Sequence, residues 1–119
     1  MDKLVYVFDI DGTICTNTNG LQDYKDAKPL IERISVVNAL HEQGHTIYFQ
    51  TARGMGRSKN NQKKAIDKFY NFTKKQLDEW GVKYHALFLG KPAGSLYVDD
   101  KAIADIDFFQ NNNEDEKNN

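Results

Sequence analysis

Leu4-Val5-Tyr6-Val7-Phe8-Asp9-Ile10-Asp11-Gly12-Thr13 decides how the rest of this chain is read. Its five leading apolar residues are too few for a typical helix and rich in β-branched and aromatic types. They predict a strand buried on both faces, as inside a parallel sheet. The run stops at two carboxylates. A charge straight after a buried strand is costly unless it meets a partner or a metal. Gly12 supplies the backbone freedom that lets Asp9 and Asp11 turn into one crevice. Ligands of open parallel sheets lie at the carboxyl ends of the strands, where both acids fall. An Asp-rich turn that merely ends the strand is the plainer alternative.

Around that stretch, 119 residues with 39% hydrophobic and 28% charged fit one globular domain with a real core. A net charge of −1 provides no global field for nucleic acid or an anionic membrane. Cys15 is the lone cysteine, which excludes an internal disulfide and a multi-cysteine zinc site. No histidine follows it at an activating spacing, so it reads as a small packing residue. The first strand begins within a few residues of Met1, which leaves no room for a signal peptide, and nowhere do ~18 apolar residues run together. A cytoplasmic protein is expected.

Residues 14–28 are polar and hold Asn19-Gly20, a tight-turn signal that predicts a small flap after the first strand with Tyr24 on its rim. Pro29 suits the first position of a helix whose face carries Leu30, Ile31, Ile34, Val37, Leu40 and His41, ended by Gly44. Thr46-Ile47-Tyr48-Phe49-Gln50 is the second strand, and Thr51-Ala52-Arg53-Gly54 leaves its carboxyl end, beside Asp9 if the strands are neighbours. Arg53, Arg57, Lys59, Lys63 and Lys64 follow without an intervening acid. Cations at a helix start oppose its dipole, so either an anion compensates them or they form a solvated loop. A second helix carries the stripe Ala65, Phe69, Phe72, Leu77 and Trp80 up to Gly81.

Tyr84 to Leu89 is the third strand, and Gly90-Lys91-Pro92 is a turn that can aim the Lys91 ammonium. Ser95-Leu96-Tyr97-Val98 is the fourth strand, ending in Asp99-Asp100. A last short helix over 101–109 would bury Ile103, Ile106 and one or both of Phe108 and Phe109. Residues 1–109 are thus expected to form a single Rossmann-like α/β domain of three layers around a central parallel sheet, with no cap domain. Residues 110–119 read as a disordered polar tail.

Every unusual polar residue then falls at one end of the sheet: Asp9, Asp11, Thr51, Lys91, Asp99 and Asp100. Gathered carboxylates repel, and two such charges ~4 Å apart cost about 4 kcal/mol at an effective dielectric of about 20. A divalent cation relieves this. Hard oxygens without histidine or thiolate select magnesium, which is held by one or two carboxylates together with waters and a phosphate. With a lysine and a threonine beside it, the site suits phosphoryl transfer. One carboxylate attacks phosphorus to form an aspartyl-phosphate, and another protonates the leaving alkoxide and then deprotonates the hydrolytic water.

Asp9-Ile10-Asp11-Gly12-Thr13, Thr51, Lys91 and Asp99-Asp100 stand in the order and at the strand-end positions of the four motifs of the haloacid dehalogenase-like (HAD) phosphatases. From Leu4 to about Ile103 the chain resembles that family. The resemblance implies that Asp9 is the nucleophile and a magnesium ligand. It makes Asp11 the general acid and base, offering its backbone carbonyl to the metal. Thr51 and Lys91 would hold the phosphoryl group, Lys91 also steadying Asp9, and Asp99 and Asp100 would bind the metal, one directly and one through water. Gly12, Ala52, Arg53 and Arg57 join Thr51 and Lys91 as expected phosphate- and substrate-binding residues. Aspartate two residues after the nucleophile argues for a phosphatase over an ATPase.

The short connections imply a capless member, which leaves a large substrate or a neighbouring subunit of a homo-oligomer to cover the site. Thr51-Ala52-Arg53 and the basic loop are similar to small HAD proteins associated with capsule or surface-polysaccharide synthesis. A sugar phosphate or related small phosphorylated metabolite is the substrate this implies, with no membrane partner. A nucleotide or nucleic-acid end phosphatase of the same superfamily is the alternative, with Arg53, Arg57 and Lys59 on phosphates. A phosphorelay receiver shares the length, the acids, the threonine and the lysine, but its phosphoacceptor ends a middle strand. Here that strand ends in Thr51, and the order of events is wrong.

Overall fold

The computed structural model describes residues 2–18, 23–56 and 58–110. Asn19-Gly20, Arg57 and the expected tail beyond Gln110 lie outside the described residues. Strand β1 (Val5–Phe8), helix α1 (Ile31–Glu42), strand β2 (Thr46–Thr51), helix α2 (Gln62–Glu79) and strand β3 (Ala86–Leu89) alternate, with a 3-10 turn at Tyr24–Asp26 ahead of α1. The three strands form one parallel sheet in the order β1-β2-β3. The register pairs Phe8 with Phe49, and Phe49 with Leu87, so all strands deliver their carboxyl ends to one edge of the molecule. The described residues form a single Rossmann-like α/β domain, with no cap among them.

The core forms where α1 and α2 cover one face of the sheet. Phe8, Ile47, Phe49, Leu87 and Leu89 point into it and meet Ile34, Val37 and Leu40 of α1 and Phe69 and Leu77 of α2. The alternation in β2, where Ile47, Phe49 and Thr51 are buried, is what a strand covered on one face requires. The opposite face of β1 stays open. Val5 and Val7 are 60% and 59% exposed, so the expectation of burial on both faces does not hold.

The fourth strand expected at Ser95–Val98 is absent among the described residues. That segment is irregular, with Leu96 and Val98 84% and 95% exposed. A short run with two residues of high β propensity, Tyr97 and Val98, makes a strand only when a neighbouring edge and a packing face accept it. Here the 3.1 Å bond from Gly94 N to the Tyr97 hydroxyl and the 2.7 Å bond from that hydroxyl to Pro92 O fold the segment onto its own turn. The last helix is shorter than expected, at 105–110. It buries Phe109 and half-buries Phe108 against Tyr6 and Phe8, while Ile103 and Ile106 stay exposed.

The helices differ from expectation in detail. Pro29 stands ahead of the N-cap Leu30 and bridges to Cys15. In α2 the buried series is Ala65, Phe69, Thr73, Gln76 and Leu77, with Phe72 exposed and Trp80 capping the end. Two polar residues therefore occupy the apolar face, and both are there for a partner described below. No helix among the described residues is long and apolar enough to cross a membrane.

Candidate active site

The turn after β1 is built by its own backbone. Thr13 N and Ile14 N donate to Ile10 O at 3.0 and 2.9 Å, and Gly12 N donates to Cys15 O at 2.9 Å. Gly12 sits at φ +81°, where a side chain is strained, and a Cβ there would meet Asn17 Nδ2 at 2.8 Å. Ile10, Ile14 and Cys15 are fully buried. They anchor the turn from below and leave Asp9 and Asp11 at the sheet end. Because Gly12 spends its N–H on Cys15, that amide is not free for a phosphate.

Asp9 keeps 35% of its side chain exposed, and its Oδ1 lies 3.8 Å from Lys91 Nζ. Burial raises its carboxyl above the usual range, opposed chiefly by Lys91 and by the backbone hydrogen bond at Ile10. Lys91 is placed by β3: its N–H donates to Thr51 O at 3.2 Å, and its ammonium stands 4.0 Å from the centre of the Tyr97 ring. Thr51, at the end of β2, is buried, and its Oγ1 accepts from Arg53 N at 3.2 Å. The backbone therefore joins Thr51 to Lys91, and Lys91 reaches Asp9.

Asp11 meets Arg53 in a two-point contact. Nε donates to Oδ2 at 2.9 Å and Nη2 to Oδ1 at 3.0 Å, and the arginine side chain is completely buried. The expectation that Arg53 reads phosphate or substrate gives way: a guanidinium with no exposed surface is committed to the interior. It is also not part of a solvated basic loop, although Lys59, Lys63 and Lys64 are exposed. Ala52, next to it, is half-buried. Burial pushes the Cys15 thiol up to about 12, Asp11 adding to the effect. The thiol donates to Asp11 Oδ1 at 3.5 Å.

Asp99 and Asp100 are exposed, and Asp99 Oδ1 accepts from Lys101 N at 2.9 Å, which, as the first of its causes, holds its carboxyl below the usual range. A crevice of about 850 Å³ beside β1 is bordered by Asp9, Lys91, Tyr97 and Asp99, though not by Asp100. No group of three or more histidine, cysteine, aspartate or glutamate side chains stands together as a metal site among the described residues. Magnesium needs only one or two carboxylates with water and phosphate. Asp9 and Asp99 both border the crevice, while the Asp11 carboxylate is occupied by Arg53.

The residues that sequence reasoning missed surround Arg53. Tyr24, expected only on a flap rim, lies with its ring centre 4.7 Å from Arg53 Cζ, and its hydroxyl accepts from Gly54 N at 3.0 Å. Thr73 Oγ1 lies 3.4 Å from Nη1, and Gln76 Nε2 donates to Tyr24 O at 2.7 Å. The series Ala65, Phe69, Thr73, Leu77 steps by one helical repeat. A lone threonine inside it was the legible signal of a buried polar partner.

No protein-family model and no curated protein matches the chain. Solved structures do. An MCSG target from Vibrio cholerae is similar at 27% identity and a TM-score of 0.78, over 88% of this chain and 86% of that one. The D,D-heptose 1,7-bisphosphate phosphatase from B. bronchiseptica, solved with magnesium and phosphate, has 18% identity and a TM-score of 0.52 over 85% and 54% of the two chains. The Pnkp1/Rnl/Hen1 complex has 15% identity and a TM-score of 0.52 over 82% of this chain and 30% of that one. These likenesses show that the chain shares its α/β fold with these structures.

Proposed function

We propose that this protein is a magnesium-dependent phosphomonoesterase working through an aspartyl-phosphate, with a sugar phosphate or similar small phosphorylated metabolite as substrate. The observation that carries the reading is Asp9, a half-buried carboxylate at the end of β1 with the Lys91 ammonium 3.8 Å away and Asp11 two residues on. An Asp9 oxygen attacks phosphorus, and the bond from phosphorus to the leaving oxygen breaks as Asp11 gives that oxygen a proton. Asp11 then takes a proton from water, which cleaves the acyl phosphate, releases inorganic phosphate and restores Asp9. Thr51 and Lys91 hold the phosphoryl oxygens. When bound, magnesium supplies charge neutralisation, and Asp9 and Asp99, with Asp100 through water, are the residues that would hold it.

The heptose bisphosphatase that shares the fold makes sugar phosphates the first class to assay. The exposed Lys59, Lys63 and Lys64, and the fold shared with the Pnkp1 complex, place nucleotides and 3′-phosphorylated oligonucleotides second. The test is release of inorganic phosphate from such a panel with magnesium and with EDTA. Magnesium-dependent release that is lost in Asp9→Asn, with the fold retained by circular dichroism, is the expected result. Turnover that persists in Asp9→Asn overturns the nucleophile, and release undiminished by EDTA overturns the metal.

A further inference from the structure

We propose that Arg53 is a positioning residue: it fixes the Asp11 carboxylate for proton exchange and is itself held in place by Tyr24 of the 3-10 turn ahead of α1. The role given to Asp11 rests on the phosphatase reading above; the pairing stands on geometry alone. Aspartate χ2 is a broad, roughly two-fold torsion, so a free carboxylate samples many orientations. A planar guanidinium that binds both oxygens removes that freedom. Here Nε and Nη2 take one oxygen each, at 2.9 and 3.0 Å.

The arginine in turn is fixed on every side. Nη1 lies 3.4 Å from Thr73 Oγ1, Nη2 lies 3.9 Å from Cys15 Sγ, and the Tyr24 ring covers the guanidinium plane. Tyr24 cannot drift, because Gly54 N holds its hydroxyl, Gln76 holds its carbonyl, and Phe69 meets its ring edge-on at 5.3 Å. The 3-10 turn at Tyr24–Asp26, the turn after β2 and helix α2 thus converge on one carboxylate that belongs to the turn after β1. Asp11 Oδ1 faces two donors, Arg53 Nη2 and the Cys15 thiol, whose one proton is shared with Ile10 O at 3.6 Å, whereas Oδ2 faces one. Oδ2 is therefore the oxygen with capacity left for the proton that the reaction moves.

The experiment compares Arg53→Lys and Arg53→Gln, each alone and combined with Asp11→Asn, on p-nitrophenyl phosphate and on an alkyl phosphate. A residue that acts through the general acid lowers kcat on the alkyl ester about ten- to hundredfold. It spares the first-turnover burst of p-nitrophenol from the aryl ester, whose leaving group needs no proton, while slowing the later hydrolysis of the intermediate that both esters share, and it leaves KM for the alkyl ester within about twofold. In the Asp11→Asn background the Arg53 substitutions cause no further loss. A raised KM with kcat kept, or the full extra loss in that background, overturns the proposal. The Arg53 Nε–H proton resonance gives a reading independent of turnover: slow exchange in the wild type and fast exchange in Asp11→Asn are expected. Fast exchange in the wild type overturns the pair. If neither ester is hydrolysed, or Asp9→Asn turns over normally, the phosphatase reading fails, and the resonance still decides the pairing.

Discussion

The Lys91 ammonium stands 3.8 Å from Asp9 Oδ1 and is the strongest influence opposing the effect of burial on that carboxylate. Burial raises the Asp9 pKa, and Lys91 lowers it. Removing the cation with Lys91→Met takes away the largest influence that opposes burial, so the Asp9 pKa rises further. Attack on phosphorus requires the ionised form, hence the acidic limb of kcat against pH moves to higher pH in the variant. Loss of a positioned cation also lowers kcat by roughly a hundredfold, by analogy with the loss of an oxyanion donor. A pH–rate profile of both proteins checks the shift. An acidic limb that stays in place would show that Lys91 does not govern Asp9.

Asp9 also costs stability. A carboxyl whose pKa is higher in the fold than in the unfolded chain binds its proton more tightly when folded. The fold therefore gains stability as pH falls from neutral through the raised value toward the ordinary one near 3.8, and loses it on the way up. Asp9→Asn removes that dependence. With 35% of the side chain in solvent, screening keeps the gain at neutral pH small. Scanning calorimetry should find the variant more stable at pH 7, with the two melting curves converging toward pH 4.

The sequence made β2 and both long helices legible because their patterns are sustained: Ile47, Phe49 and Thr51 alternate inward, and Ile34, Val37 and Leu40 repeat at helical spacing. The same logic failed for Ser95–Val98, which has the residues of a strand but lacks an edge that accepts it. It failed again for Arg53, grouped with Lys59, Lys63 and Lys64 as one charged cluster. Charge patterning registers that cations are near one another. It says nothing of which one a partner 42 residues earlier draws inside. The immediate context did differ: Arg53 stands two residues beyond Thr51, the last residue of the central strand, and precedes a glycine and a methionine, both buried.

Cys15 illustrates how burial governs chemistry. Its thiol is fully buried and pushed up to about 12, mainly by burial and next by Asp11. At pH 8 it is a neutral packing group and not a thiolate, so it is a poor nucleophile. Reaction with Ellman's reagent should be negligible over an hour in the native protein and stoichiometric in guanidinium chloride. Rapid native labelling would place the thiol in an open, electropositive setting incompatible with its contact to Asp11 Oδ1.

Gly54 ties the arginine to the helix beneath it, and two glycines separate the causes of its importance. At Gly54 the backbone has φ +80°, and an added Cβ would lie 2.4 Å from Phe69 Cδ2 and 3.4 Å from Ala65 Cα. At Gly81 the backbone has φ +73°, and nothing lies within 4 Å of the same atom. Both alanine variants carry the left-handed strain, about 1–2 kcal/mol. Only Gly54→Ala adds overpacking, worth a further 1–3 kcal/mol or so. Phe69 cannot give way cheaply, since its ring meets Tyr24, which in turn lies against Arg53. Gly54→Ala should therefore lower the melting temperature by roughly 10 °C or more, against about 5 °C for Gly81→Ala. It should also lose turnover at temperatures where it remains folded, because the displaced tyrosine releases Arg53 and with it Asp11. Equal melting losses in the two variants, with turnover intact in both, would mean that Tyr24 and the turn after β2 are not mechanically joined.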